Sequence, residues 1–335
     1  MDDTGPIHTP RDIPAKRLDV PSTVSPQLQR SISMLAAAPR IPMNEAPRTA
    51  EAWRAFIAGA DAQTLALRPV LAQMFPHTET KGEIAGVTVR EIVPAGYDAA
   101  RAGGRLLVHF HGGGYVMNGG EASTGEAVLG AHYSGLKVIS VDYRMPPDHP
   151  FPAGVDDAVA VWTALLKDND PAKMGAFGTS AGGGMTLAMT LKLKALGRPL
   201  PGALGLGTPW VDLTGASDSY QVNAEVDGIF SRFDAFAQAM AKLYAGDAPV
   251  SDPLVSPVYG DFAGFPPSIL TTGTRDILLS DTVRTHRALR AAGVTSQLEA
   301  YEAMSHAEYI FAFDGPESAV AFGEMAAFFD KHLAR

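Results

Sequence analysis

The chain has 335 residues, 46% of them hydrophobic and 19% charged, with 34 glycines and 25 prolines. At roughly 150 residues per domain, that length fits two domains or one large α/β domain with an addition, and the composition excludes intrinsic disorder, collagen and coiled coil. The net charge of −9 comes with no basic cluster, which argues against nucleic acid, and the absence of cysteine removes disulfides, thiolate nucleophiles and Cys-containing metal sites.

Residues 1–48 are punctuated by proline, with one apolar stretch at 28–38 that fits a helix. From Thr49 the pattern turns helical: Trp53, Phe56, Ile57 and Ala60 fall at i, i+3, i+4 and i+7, and the stripe continues through Leu67 and Leu71. Residues 1–80 are therefore expected to form an N-terminal arm and helical cap, and 81–335 the main α/β domain. From residue 87 short apolar runs predict strands over 87–93, 105–110, 137–142, 174–179, 203–207, 268–273 and 295–301. Helices are predicted between and after them near 121–133, 154–168, 181–197, 281–293 and 316–332. Such alternation predicts a mostly parallel central sheet covered by helices on both faces. An insertion at 210–250 interrupts it, with Ser231 as N-cap and Phe233, Phe236, Ala237, Met240 and Tyr244 on one helical face, and is expected to be a second cap segment. Asp314 and Glu317 predict a capping box for the last helix. There is no run of about 18 apolar residues and no basic segment leading into an apolar one near Met1, so the expectation is a cytoplasmic protein without stable membrane association.

The chemistry centres on Gly178-Thr179-Ser180-Ala181-Gly182, placed where a strand gives way to a helix. A turn that sharp needs flanking glycines and would expose Ser180 Oγ beside the positive end of the helix, as a nucleophile requires. The stretch lacks the Gly-Lys-Ser/Thr ending of a phosphate loop. Upstream, the strand ending at Phe110 runs into His111-Gly112-Gly113-Gly114, whose backbone N–H groups are free to converge on one anion. Gly112 and Gly113, with the N–H of Ala181, are the candidate oxyanion hole.

A serine hydroxyl needs an imidazole to take its proton, and the imidazole needs a carboxylate to orient it. Of nine histidines only His306 follows the last predicted strand in a loop at its C-terminal end, where catalytic groups gather in open α/β sheets. Asp276, just after the strand 268–273, is the candidate acid; its rival Asp281 is explained by capping of the helix that follows. The order Ser180, Asp276, His306 is that of α/β-hydrolases. A lone Ser134-x-x-Lys137 lies before a strand with no Lys-Thr-Gly partner and is read as chance. No His-Glu-x-x-His occurs, and the histidines show no metal-ligand spacing, so no metal site is expected.

From about residue 85 onward the chain resembles the hormone-sensitive-lipase-like family of bacterial esterases. The resemblance rests on the His111-Gly112-Gly113-Gly114 and Gly178-Thr179-Ser180-Ala181-Gly182 motifs and on the Tyr143-Arg144 pair before a proline-rich turn. The nucleophile motif is the Thr-containing version of a commoner Gly-Asp-Ser-Ala-Gly. Two positions depart from the family pattern, Ile277 after the acid and Ala307-Glu308 after the histidine, while both catalytic residue types are present. The resemblance implies an α/β-hydrolase with a helical cap, a carboxylesterase acting on small-molecule esters of short to medium acyl chain, no cofactor, and a possible homodimer. A lactonase, amidase or deacetylase would use the same residues, and a non-catalytic small-molecule binder of this fold would have lost them.

Overall fold

The computed structural model describes residues 12–15, 17–37 and 46–334. The remainder of the arm predicted for residues 1–48, including Pro6, Pro10, Pro39 and Pro42, lies outside them. Eight strands, β1 (His77–Ile84), β2 (Val87–Pro94), β3 (Leu106–Phe110), β4 (Lys137–Val141), β5 (Met174–Thr179), β6 (Ala203–Gly207), β7 (Ser268–Gly273) and β8 (Ser296–Tyr301), form one sheet. Their order is β1-β2-β4-β3-β5-β6-β7-β8. β1 and β2 run antiparallel, β2 meets β4 antiparallel, and every pairing from β4 to β8 is parallel.

Seven strands match the sequence expectation; β1 does not appear in it. Its sequence, His-Thr-Glu-Thr-Lys-Gly-Glu-Ile, lies mostly exposed at the sheet edge, so it carries no apolar alternation to detect. It is held by the tight turn at Ala85 and Gly86, both with positive φ. β3, β5, β6 and β7 are buried along their whole length, as strands covered on both faces must be.

One face is covered by the helices Ala153–Leu165, Ala181–Ala195 and Leu279–Ala291, around Val155, Trp162, Met185 and Leu289. The other is covered by Thr124–Ser134 and Pro316–His332, which bury Val128, Leu129, Phe322 and Phe329 against Leu107 and Phe177. The last helix does not use the expected capping box. It starts at Pro316, whose fixed φ suits the first helical position, and the N-cap residue is Gly315, which has no side chain to act as a cap. Glu317 instead accepts from the backbone N and hydroxyl of Ser25, and Asp314 lies 3.7 Å from Arg30.

The N-terminal helix Pro26–Ala37 packs Leu28 and Ile32 against Ala303, in the turn after β8. The second helical stretch is broken in two, Ala50–Leu65 and Arg68–Met74, with Pro69 in the first turn of the second piece. Trp53 and Phe56 of the first piece stack with Phe236 of the insertion helix Ala235–Ala245 at centroid distances of 5.6 and 4.9 Å. Such pairs add about 0.5–1.5 kcal/mol each beyond burial, so the two insertions are joined by their aromatics. The insertion helix is capped by Asp234, which accepts from Phe236 and Ala237 N, rather than by Ser231. Ser231 is three residues too early, and its carbonyl closes a turn with Glu225 N.

Candidate active site

β5 ends at Thr179 and the next helix begins at Ala181, leaving Ser180 alone in the turn at φ 60° and ψ −124°. That conformation is costly for a residue with a Cβ and is sustained by close packing on either side. A Cβ on Gly178 would sit 2.2 Å from the Phe110 carbonyl oxygen, and one on Gly182 would sit 1.9 Å from the same atom. Only glycine allows β3 and the nucleophile turn to approach this closely.

His306 Nε2 lies 2.9 Å from Ser180 Oγ, and His306 Nδ1 lies 3.2 Å from Asp276 Oδ1. Asp276 is itself oriented: Thr272 Oγ1 donates to Oδ2 at 2.7 Å and Leu278 N to Oδ1 at 2.8 Å. The three residues from separate loops at the strand ends are thus one hydrogen-bonded chain. Burial by itself would lower the His306 pKa, but the hydrogen bond and charge of Asp276, with Asp227 and Asp281 behind it, raise it above the ordinary value. The imidazole must be neutral to accept the serine proton, so activity is lost as pH falls through this raised pKa. The midpoint of the acid limb of kcat/KM is expected above about 6.5; a midpoint below that would show that another group sets the limb.

The glycine loop turns beside the serine. Gly113 has φ 117° and Gly114 φ 61°, and a Cβ on Gly112 would lie 3.4 Å from Ser180 Cβ. Tyr143, from the Tyr-Arg segment, donates to the His111 carbonyl at 2.7 Å and stacks on the His111 ring at 4.3 Å. His111 Nδ1 is 2.8 Å from the Gly112 carbonyl, and burial holds its pKa well below the usual histidine value, so a neutral ring stiffens the loop. The Ala181 N–H, at the first helical position, has no partner within its own helix.

A cavity of about 850 Å³ opens over Ser180 and His306, within the range of small-molecule sites. Its apolar walls come from Ile32 and Leu35 of the first helix, Phe56 of the second, and Phe230, Phe236 and Met240 of the insertion.

Asp281 is not a helix cap. The helix begins at Leu279, and the wholly buried Asp281 carboxylate accepts from Val211 N, Asp212 N, Ser217 Oγ and Tyr220 OH. It pins the chain leaving β6, and burial raises its pKa to about 7. Ser134 Oγ donates to the Gly130 carbonyl at its own helix end, so the Ser134-x-x-Lys137 match carries no chemistry.

Sequence reasoning missed three supporting residues: Tyr143 as the brace of the glycine loop, Glu126 and Asp227. Glu126 accepts from Thr179 Oγ1 at 2.6 Å and Thr179 N at 3.2 Å, directly behind the nucleophile turn, and lies 3.1 Å from His109 Nε2. Glu126 and Asp227 belong to no local motif, and only their acceptor geometry reveals them. Tyr143 stood in a segment whose proline-rich turn already had a backbone explanation.

Residues 107–310 match the family described as the alpha/beta hydrolase fold. An esterase of Acinetobacter venetianus is 32% identical over 273 residues, 78% of this chain and 88% of that protein. An acetyl-hydrolase of Streptomyces hygroscopicus is 31% identical over 221 residues, covering 66% and 73%. Among solved structures, esterase E25 superposes with a TM-score of 0.93 at 40% identity, covering 97% of this chain and 99% of the other. A hormone-sensitive lipase from a metagenome library gives a TM-score of 0.81 at 27% identity, covering 93% and 100%. The chain belongs to the hormone-sensitive-lipase-like family of α/β-hydrolases. This hydrolase is a serine enzyme of the carboxylesterase class. Among the described residues no helix of the hydrolase is long and apolar enough to cross a membrane.

Proposed function

We propose that Ser180, His306 and Asp276 are the catalytic triad of this carboxylesterase, that Gly112, Gly113 and Ala181 supply its oxyanion hole, and that its substrates are esters of short to medium acyl chain. The observation that carries the reading is the chain Ser180–His306–Asp276, at 2.9 and 3.2 Å, beneath a cap-walled cavity. Ser180 Oγ attacks the ester carbonyl while His306 Nε2 takes its proton, and Asp276 stabilises the imidazolium that forms. The three N–H groups receive the charge developing on the carbonyl oxygen, each worth about 3–4 kcal/mol in the transition state. His306 then passes the proton to the departing alcohol, and water repeats the sequence on the acyl-enzyme.

We also assign the N-terminal cap, expected over residues 1–80, to the described residues up to Met74, since His77–Ile84 is a strand of the sheet, and the second cap segment to 210–250, on the strength of the aromatic contacts between them and their shared walls over Ser180. Met240 bears on chain length, since its Sδ lies 2.9 Å from the place a Cβ on Gly114 would occupy, against the oxyanion loop. Rates on p-nitrophenyl acetate, butyrate, octanoate and palmitate should peak at butyrate or octanoate; an optimum at palmitate would refute the chain-length reading. In Met240→Ala the octanoate-to-butyrate ratio of kcat/KM should rise about 5-fold, the low end of what one methylene is worth in an apolar pocket. An unchanged ratio would remove Met240 from the wall that measures the chain.

A further inference from the structure

Asp227 lies in the insertion, 1% exposed, with no place in the proton-transfer chain. Its Oδ1 accepts from Ile229 N at 2.8 Å and Phe230 N at 3.0 Å, a local turn that aspartate commonly makes. Its Oδ2 does something the local turn does not require. It accepts from Ile277 N at 2.8 Å and from His306 N at 3.0 Å. One oxygen therefore holds the backbone of the candidate base and of the residue following the candidate acid. The same stretch reaches the acid loop at other points as well: Asn223 Nδ2 donates to the Asp276 carbonyl at 2.7 Å, and Ser219 Oγ to the Ile277 carbonyl at 2.6 Å. Phe230, oriented by the Oδ1 side of the turn, meets the His306 ring edge-on at 5.7 Å.

We infer that Asp227 is a positioning residue for the triad, through which the insertion that walls the substrate cavity also fixes the spacing between Asp276 and His306. The inference rests on the triad proposed above. A neutral isostere cannot replace the carboxylate, because each oxygen receives two backbone N–H donors and an amide would turn its NH2 toward one pair. The charge matters as well. The acidic groups on the elements packed around the imidazole are Asp276 on the loop after β7, Asp227 on the insertion, Asp281 on the helix Leu279–Ala291 and Glu308 on the histidine's own loop. Glu308 is engaged by Ser31 Oγ and Ser305 N. Asp227 and Asp281 both add to the raised pKa of His306, so each favours the imidazolium formed during attack.

The experiment compares Asp227→Asn, Asp227→Glu and Ser180→Ala with the wild-type full chain on p-nitrophenyl butyrate, recording kcat, KM and the pH profile, with folding checked by circular dichroism. Asp227→Asn should lose about 10–100-fold in kcat, the scale of a small misplacement of catalytic groups, with KM within about threefold. Its acid limb should move to lower pH, since an anion facing His306 is gone. Asp227→Glu keeps the charge and shifts its position, so kcat should fall while the acid limb stays in place. In folded Asp227→Asn, a kcat within twofold of wild type, or a loss of kcat with an unmoved acid limb, would overturn the proposal, the second outcome indicating scaffolding alone. If Asp227→Asn does not fold, Asp227→Glu decides: a kcat within twofold of wild type overturns the proposal, and a lowered kcat with an unmoved limb supports it. Turnover retained in Ser180→Ala would instead bring down the triad reading itself, whatever the Asp227 variants do.

Discussion

Ser180→Ala should lower kcat by about 10⁵–10⁶ while the protein stays folded, the loss expected when the nucleophile of a concerted triad is removed. The fold should tolerate it because the Ser180 hydroxyl bonds to His306, whereas the turn is held by backbone bonds from Ser180 N to the Gly207 carbonyl and from Trp210 N to the Ser180 carbonyl. Alanine keeps both, together with the Cβ at φ 60°. Steady-state assay on p-nitrophenyl butyrate, with circular dichroism as the folding control, measures the effect. Loss of less than 100-fold in a folded variant would mean that Ser180 is not the nucleophile.

The second large effect separates two aspartates five residues apart. Asp276→Asn should reduce kcat by about 10⁴-fold, because an amide facing His306 Nδ1 favours the wrong tautomer. Asp281→Asn should leave kcat of the folded enzyme within a few-fold of wild type and lower the melting temperature. The physical difference is in what each carboxylate accepts. Asp276 Oδ1 lies 3.2 Å from the imidazole, whereas Asp281 receives two backbone N–H groups and two hydroxyls from residues 211–220. Turning an NH2 toward those donors leaves buried groups unpaired, at about 1–3 kcal/mol. Equal losses of kcat in the two variants would erase the distinction. Thermal melts read beside the rates show which of the two acts through stability.

Local pattern and tertiary geometry contributed unequally to these assignments. Seven strands were legible because buried parallel strands are continuous apolar runs, and the turn at Ser180 was legible because its close approach to the Phe110 carbonyl demands glycine at 178 and 182. β1 was not, since an exposed edge strand carries no apolar signature. Ser231 and the pair Asp314 and Glu317 looked like caps because capping residues are common and short-range. Asp234 and Pro316 stood nearer the helix starts and prevailed. Asp281 looked like a cap for the same reason, yet its partners lie about 60 to 70 positions away, beyond any local rule.

The reaction class and the chain order of the candidate residues are legible in local sequence alone. The proposed nucleophile, acid, base and oxyanion loop each sit at the C-terminal end of a strand, where one-dimensional spacing suffices to single them out. Tertiary structure alone decided what holds those parts in register and what surrounds the substrate. Tyr143 bracing the glycine loop, Glu126 behind the serine, Asp227 joining the insertion to the loops of Asp276 and His306, and Phe56 meeting Phe236 in the cavity wall are contacts between distant segments. Their physical reason is common to all four: a buried donor, acceptor or ring must find its partner wherever the fold brings one, and chain separation leaves no periodic trace of that choice.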